Sequence, residues 1–173
     1  MSRSTAAAAL LAACAATACS PTFNWREVRA ESGTLRASLP CKPDKATRQV
    51  PMAGRQVDLH VLGCEAGGAT FAVLYADIGE AGRAGEALAQ WKQATLANMR
   101  ATGVREQPFL PPGGFALREA VQVVASGQRA DGSKVESHAA YAARGSQVVQ
   151  AVIYSDALKP EMAAGFLAGL RLE

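Results

Sequence analysis

Histidine is nearly missing from this 173-residue chain, with two in all, and aromatic residues make up only 6% of it. Two scattered histidines and four cysteines without a Cys-x-x-Cys offer neither the ligand spacing of a zinc site nor a dithiol redox motif. There is no Gly-x-Ser-x-Gly elbow and no His-Glu-x-x-His. Gly113-Gly114 follows two prolines but lacks the lysine and helix start of a phosphate-binding loop. Charge of one sign is never concentrated: 18 basic and 15 acidic residues are interspersed, which is not the footprint of a nucleic-acid binder. Lys42, Lys45, Arg48 and Arg55 come nearest to a basic cluster, spread along a loop-like stretch, and are read as solvated charge. No catalytic residue, cofactor-binding residue or metal ligand is assigned, no cofactor is implied, and no nucleic-acid partner is expected.

The one long apolar run lies at the start. Ser2-Arg3-Ser4-Thr5 leads into Ala6 to Ala18, which closes on Cys19-Ser20-Pro21. A single early positive charge, a run too short to span a bilayer and small residues before a cysteine form an export signal. The pattern resembles a bacterial lipoprotein signal, in which the new N-terminal cysteine carries the lipid. Two cysteines compete for that role. Leu11-Ala12-Ala13-Cys14 has the better-placed leucine, but cutting there leaves an apolar core of only Ala6 to Ala13. Cutting before Cys19 leaves a fuller core, and Cys19 is taken as the lipidation site. The expected organisation is a signal peptide over 1–18, a tether over 19–30 and a single domain over 31–173. Only Arg3 among the charged residues is lost with the signal, so the mature chain carries 17 basic against 15 acidic residues, a net charge of +2. The expected place of work is the cell envelope, on the periplasmic face of a membrane. The serine after Cys19 implies the outer membrane, by resemblance to enterobacterial sorting.

Export also decides the fate of the two remaining cysteines, Cys41 and Cys64. In an oxidising compartment a pair of thiols in a small domain is usually bridged. Each ends a strand-like run, and antiparallel pairing of those runs is expected to bring them together as a disulfide.

Along the mature chain, Phe23 and Trp25 are candidate early anchors. Leu35–Leu39 alternates and stops at Pro40; 56–64 alternates with Val57, Leu59 and Val61 opposite Asp58 and His60; 70–76 is more uniformly apolar and therefore central. From 86 to 101 the period changes. Leu88, Trp91, Thr95 and Met99 recur at three- and four-residue steps, an amphipathic helix expected to close at Gly103 with Trp91 in the core. Two strands, 115–126 and 134–144, flank the Asp131-Gly132 turn, and a third follows over 146–155. Pro160-Glu161 opens a C-terminal helix. Strands interrupted by one helix and ended by another predict an α+β fold, an antiparallel sheet of about six strands with both helices packed on it.

Leu39-Pro40 with Lys42-Pro43 close behind, the Ala69-Thr70-Phe71-Ala72 run, the mid-chain helix and the late meander with its closing helix resemble the PsbP-like fold. Cys19 to Val28, read Cys-Ser-Pro-Thr-Phe-Asn-Trp-Arg-Glu-Val, resembles the start of a group of uncharacterised proteobacterial lipoproteins. The resemblance implies a non-catalytic assembly or stabilising role at a membrane complex, and it carries no catalytic or metal residue onto this chain.

Each histidine lies two residues from a carboxylate, His60 from Asp58 and His138 from Glu136. Alternation places both on solvent-facing strand positions, apart from one another. The proline-rich loop is more promising: Phe109, Leu110, Pro111 and Pro112 are the candidate contacts for a periplasmic protein partner, because apolar residues held in a stiff loop suit recognition. The expected function is therefore a non-catalytic binding or assembly protein, attached to a membrane by its N-terminal lipid. The alternatives are a small enzyme built from dispersed polar residues and a carrier holding an apolar ligand between sheet and helix.

Overall fold

The computed structural model describes residues 22–31 and 33–173; Cys14, Cys19 and the stretch expected to be an export signal lie outside them. In chain order the elements are β1 (Arg26–Arg29), β2 (Leu35–Leu39), β3 (Asp44–Met52), β4 (Arg55–Ala66), β5 (Ala69–Asp77), a 3-10 turn (Ala81–Arg83), α1 (Ala84–Asn98), β6 (Thr102–Pro108), β7 (Val121–Gln128), β8 (Lys134–Arg144), β9 (Gln147–Ser155), α2 (Pro160–Ala168) and β10 (Arg171–Leu172). Seven strands form one antiparallel sheet in the order β3-β4-β5-β9-β8-β7-β6, and β1-β2-β10 form a small second sheet. The fold is α+β, as the strand and helix patterns predict.

The large sheet is two meanders joined in the middle. β3-β4-β5 is built first, the chain leaves through α1, and β6-β7-β8-β9 returns so that β9 pairs with β5 from Ala69↔Ser155 to Asp77↔Gln147. Both faces of its centre are covered, which is why β5, β8 and β9 read as nearly continuous apolar runs. One face carries Leu59, Leu74, Tyr141, Val148 and Val152 against Ala84, Ala87 and Leu88 of α1. The opposite face carries Phe71, Val73, Val149, Ala151 and Ile153 against β2, Met162 and Phe166 of α2, and Leu172 of β10.

Segments that looked like loops are strands. The charged stretch holding Lys45 and Arg48 is β3, paired with β4 along its length from Asp44↔Gly63 to Met52↔Arg55. It is an edge strand with little apolar surface of its own, so its partner and its turn dictate its conformation. Ala53 and Gly54 both have positive φ, 50° and 74°, the two-residue turn whose twist suits a hairpin. The Ala53 carbonyl accepts a hydrogen bond from the Arg83 guanidinium. β1 lies within the stretch expected as a tether, pairing with β2 from Arg26↔Leu39 to Arg29↔Arg36. Ahead of it, the rings of Phe23 and Trp25 each stand edge-on to Phe71 at 6.2 Å.

The helix boundaries also differ from the expected ones. α1 ends at Asn98 because Arg100, with φ of 48°, takes the left-handed position usually given to glycine. The Ala101 amide reaches back to the Leu96 carbonyl and the Arg100 amide to that of Ala97, the paired bonds of a Schellman cap. Gly103 lies beyond the cap, within β6, where the register shifts between Thr102 and Arg105. The strand expected from Phe115 starts only at Val121. The residues before it belong to an irregular loop tied to the β8 end by the Phe115 amide on the Ala143 carbonyl, 2.7 Å.

Cys41 and Cys64 form a disulfide with a Cα–Cα separation of 5.9 Å. Their strand-like runs, β2 and β4, do not pair with one another. Cys41 sits just past β2 of the small sheet, and β3 carries the chain back along β4. The bridge therefore ties the end of the small sheet to the large one.

Candidate functional site

One helix cannot cover a seven-stranded sheet. Six strand spacings of about 4.8 Å make the sheet roughly 29 Å wide, whereas a helix with its side chains is about 10 Å across. α1 therefore leaves part of one face open, and α2 with three short strands leaves part of the other. Each shortfall is a half-open cleft, of ≈ 730 Å³ under α1 and ≈ 760 Å³ beside α2. Both fall within the roughly 300–1,000 Å³ typical of ligand sites.

The cleft beside α2 gathers the loop residues that the sequence singles out. Phe109, Leu110, Pro111 and Pro112 form one wall; Ala163, Ala164 and Leu167 of α2 form the other; Val124, Gln122 and His138 lie on the floor. The loop is braced from below. The Phe109 amide donates to the Ala120 carbonyl (3.0 Å) and the Leu172 amide to the Pro112 carbonyl (2.9 Å). Arg144 Nη1 donates to the Gly113 carbonyl at 2.7 Å. At Gly113, φ is +78°, and a Cβ there would lie 1.6 Å from the Leu172 carbonyl oxygen. Only glycine lets the loop lie this close to β10. Phe109 packs against the core, Pro111 is buried, and Leu110 is left 60% exposed at the rim.

His138 does not face open solvent as its alternation suggests. Its strand face is the one that α2 partly roofs, so the ring sits half-buried on the cleft floor, and burial holds its pKa below the ordinary 6.5. Its Nε2 is 2.9 Å from Gln122 Oε1; since an amide oxygen can only accept, the ring nitrogen donates. Glu136 is engaged elsewhere: its Oε2 accepts the Leu158 amide at 2.7 Å, fixing the chain's approach to α2. The two groups of the His138–Glu136 pair are thus committed to different partners. His60 lies on the same sheet face, near its β3 edge. It is stacked on Tyr75 at 4.9 Å, with Nδ1 3.0 Å from Thr47 Oγ1. Three strand spacings and four residues separate it from His138, about 20 Å. Among the described residues, no group of three or more His, Cys, Asp or Glu is placed to hold a metal ion.

The cleft under α1 has a different character. Leu59, Leu74 and Val152 floor it, and Trp91 and Ala94 hang over it from the helix. Trp91 is therefore half-buried rather than a core residue, its ring edge-on to Tyr141 at 6.3 Å. At the centre of the middle strand, Gln150 is only 3% exposed. Its Nε2 donates to Tyr141 Oη at 2.8 Å and to Thr95 Oγ1 of α1 at 3.0 Å. Burial pushes the Tyr141 pKa up to about 12, against the lowering effect of its hydrogen bonds with Thr95 and Gln150. Only the amide of Gln150 interrupting the face of Val148, Val152 and Tyr154 signals this cleft in the sequence. Arg105, on the rim of the α2 cleft, has no comparable signal, because β6 is not legible as a strand.

No helix among the described residues is long and apolar enough to cross a membrane. No protein-family model matches the chain, and no curated protein sequence matches it.

Proposed function

We propose that this chain is a non-catalytic binding module of the bacterial cell envelope, which grips an apolar segment of a periplasmic protein partner in the cleft beside α2. A lipid on Cys19 would hold it to the periplasmic face of a membrane, the outer one if the serine at position 20 directs sorting. The layout's resemblance to the PsbP-like fold, and that of Cys19 to Val28 to proteobacterial lipoproteins, point the same way.

The observation that carries the reading is Leu110, exposed on a loop whose backbone is pinned at Phe109, Pro112, Gly113 and Phe115. A side chain held this way loses little freedom when a partner covers it, so more of its burial appears as affinity. Arg105 and Lys159 line the same cleft and form no ion pair among the described residues. They suit a partner segment whose apolar side chains are flanked by acidic ones. The polar groups on the floor are spent on structure, Glu136 on the approach to α2 and His138 on Gln122, which favours binding over chemistry. The test is capture of partners on the full chain from solubilised envelopes. Leu110→Asp should remove a specific protein that the parent retains, with no change in melting temperature. Identical capture by both chains would refute the reading.

A further inference from the structure

We propose that the cleft under α1 is a second site, for a long-chain carboxylate: a single acyl chain lying between Trp91 and the floor of Leu59, Leu74 and Val152, with its acid group at Arg48. This site is on the sheet face opposite the α2 cleft, and the inference does not depend on the partner reading.

Three observations carry it. First, the space is built into the fold rather than left by poor packing. α1 is buried through Ala84, Ala87 and Leu88, but its second half stands on a polar prop, with Thr95 bonded to Gln150 and Gln150 to Tyr141. A buried amide is costly unless it is hydrogen-bonded, and here its bonds fix how the helix stands over the sheet. Second, the walls are mainly apolar, and the volume of ≈ 730 Å³ is ample for a single chain. Third, the charge on the lining is of one sign. Among the described residues its only charged side chains are Arg48 and Arg129, and no carboxylate lines it. Arg129 is occupied by Asp156 at 2.8 Å and by the Lys134 carbonyl. Arg48, at the β3 rim, forms no ion pair or side-chain hydrogen bond among the described residues, and its planar fork matches a carboxylate. A cleft with an apolar body and an unpaired guanidinium at its rim selects an anionic amphiphile over a neutral one.

The test is photolabelling of the purified full chain with a diazirine-bearing palmitate, followed by peptide mapping. Label is expected on the segment from Trp91 to Met99 or on the facing strands. Free palmitate should compete about tenfold better than hexadecanol, the size of one hydrogen-bonded charge pair. Arg48→Gln should bring the two competitors within about twofold while the chain still takes label. Ala94→Trp, at an exposed helix position over the cleft, should block labelling without altering the fold. Label confined to the α2 cleft or to the N-terminal peptide, equal competition by acid and alcohol in the parent, or undiminished labelling of Ala94→Trp would overturn the proposal.

Discussion

Reducing the Cys41–Cys64 bridge should cost about 3.4 kcal/mol of stability. The two residues are 23 apart in sequence, and closing a loop of that size in the unfolded chain removes entropy equivalent to that figure. At about 2–4 °C per kcal/mol for a domain of this size, the melting temperature should fall by roughly 7–14 °C. The structure gives no reason to expect a second, larger loss. β2 remains paired with β1 and β10, and β4 with β3 and β5, so the sheets keep their ladders when the link is cut. Cys64 is buried against the core formed with Phe71, so Cys41→Ala with Cys64→Ala should cost somewhat more than reduction, the difference reflecting the lost sulfur packing. Melting of oxidised chain, reduced chain and double variant, followed by circular dichroism, separates these contributions. A reduced chain that melts with the oxidised one, or alkylatable thiols in native exported protein, would refute the reasoning.

Four further outcomes follow from particular residues. Gly113→Ala should destabilise by about 2 kcal/mol or more, because its Cβ would collide with the Leu172 carbonyl at a positive φ; urea titration reads it. Trp91→Ala should cost about 2 kcal/mol, less than the ~3–5 of a fully buried tryptophan, because one side of the ring already faces the cleft. His138 is held below its ordinary pKa of 6.5 by burial, so the unfolded chain takes up this proton first as pH falls. Its contribution to stability is complete above pH 6.5 and declines as pH drops through 6.5 toward the folded value; His138→Gln should flatten that part of the stability–pH curve. Finally, Cys19→Ala should abolish fatty-acid labelling of the exported chain and release it from membranes or block its processing. Labelling that survives Cys19→Ala and is lost in Cys14→Ala would move the anchor.

What could be read from the sequence divides along a physical line. β5, β8, β9 and α2 are legible because burial on one or both faces imposes an apolar period on their residues, and Pro160 marks the helix start. β3 and β6 are not. Their side chains are almost wholly exposed, and what makes them strands is a ladder to a neighbour, which leaves no trace in local composition. β1 and β10 are too short for periodicity to register. Gly54 marks its turn in the sequence, but the Arg100 cap does not show, because a residue other than glycine holds the left-handed position there, closed by backbone bonds to the last turn of α1. For the candidate site, Phe109 to Pro112 announced themselves as apolar residues in a loop that cannot be regular structure. That they face α2 across a cleft could not be foreseen, since α2 lies some fifty residues further along the chain. The position of His138 was missed for the same reason: alternation says which face of a strand a residue occupies, but not what covers that face.

The chain is proposed to work by holding a partner in the cleft between the proline loop and α2. The most direct measurement is crosslinking in living cells from a photoreactive residue at Leu110, at Ala164 across the cleft, and at Gln93 on the exposed side of α1. Leu110 and Ala164 are expected to capture the same discrete protein and Gln93 is not, and Arg105→Glu should weaken the capture. Equal capture from all three positions, or none from the two in the cleft, would contradict the proposal.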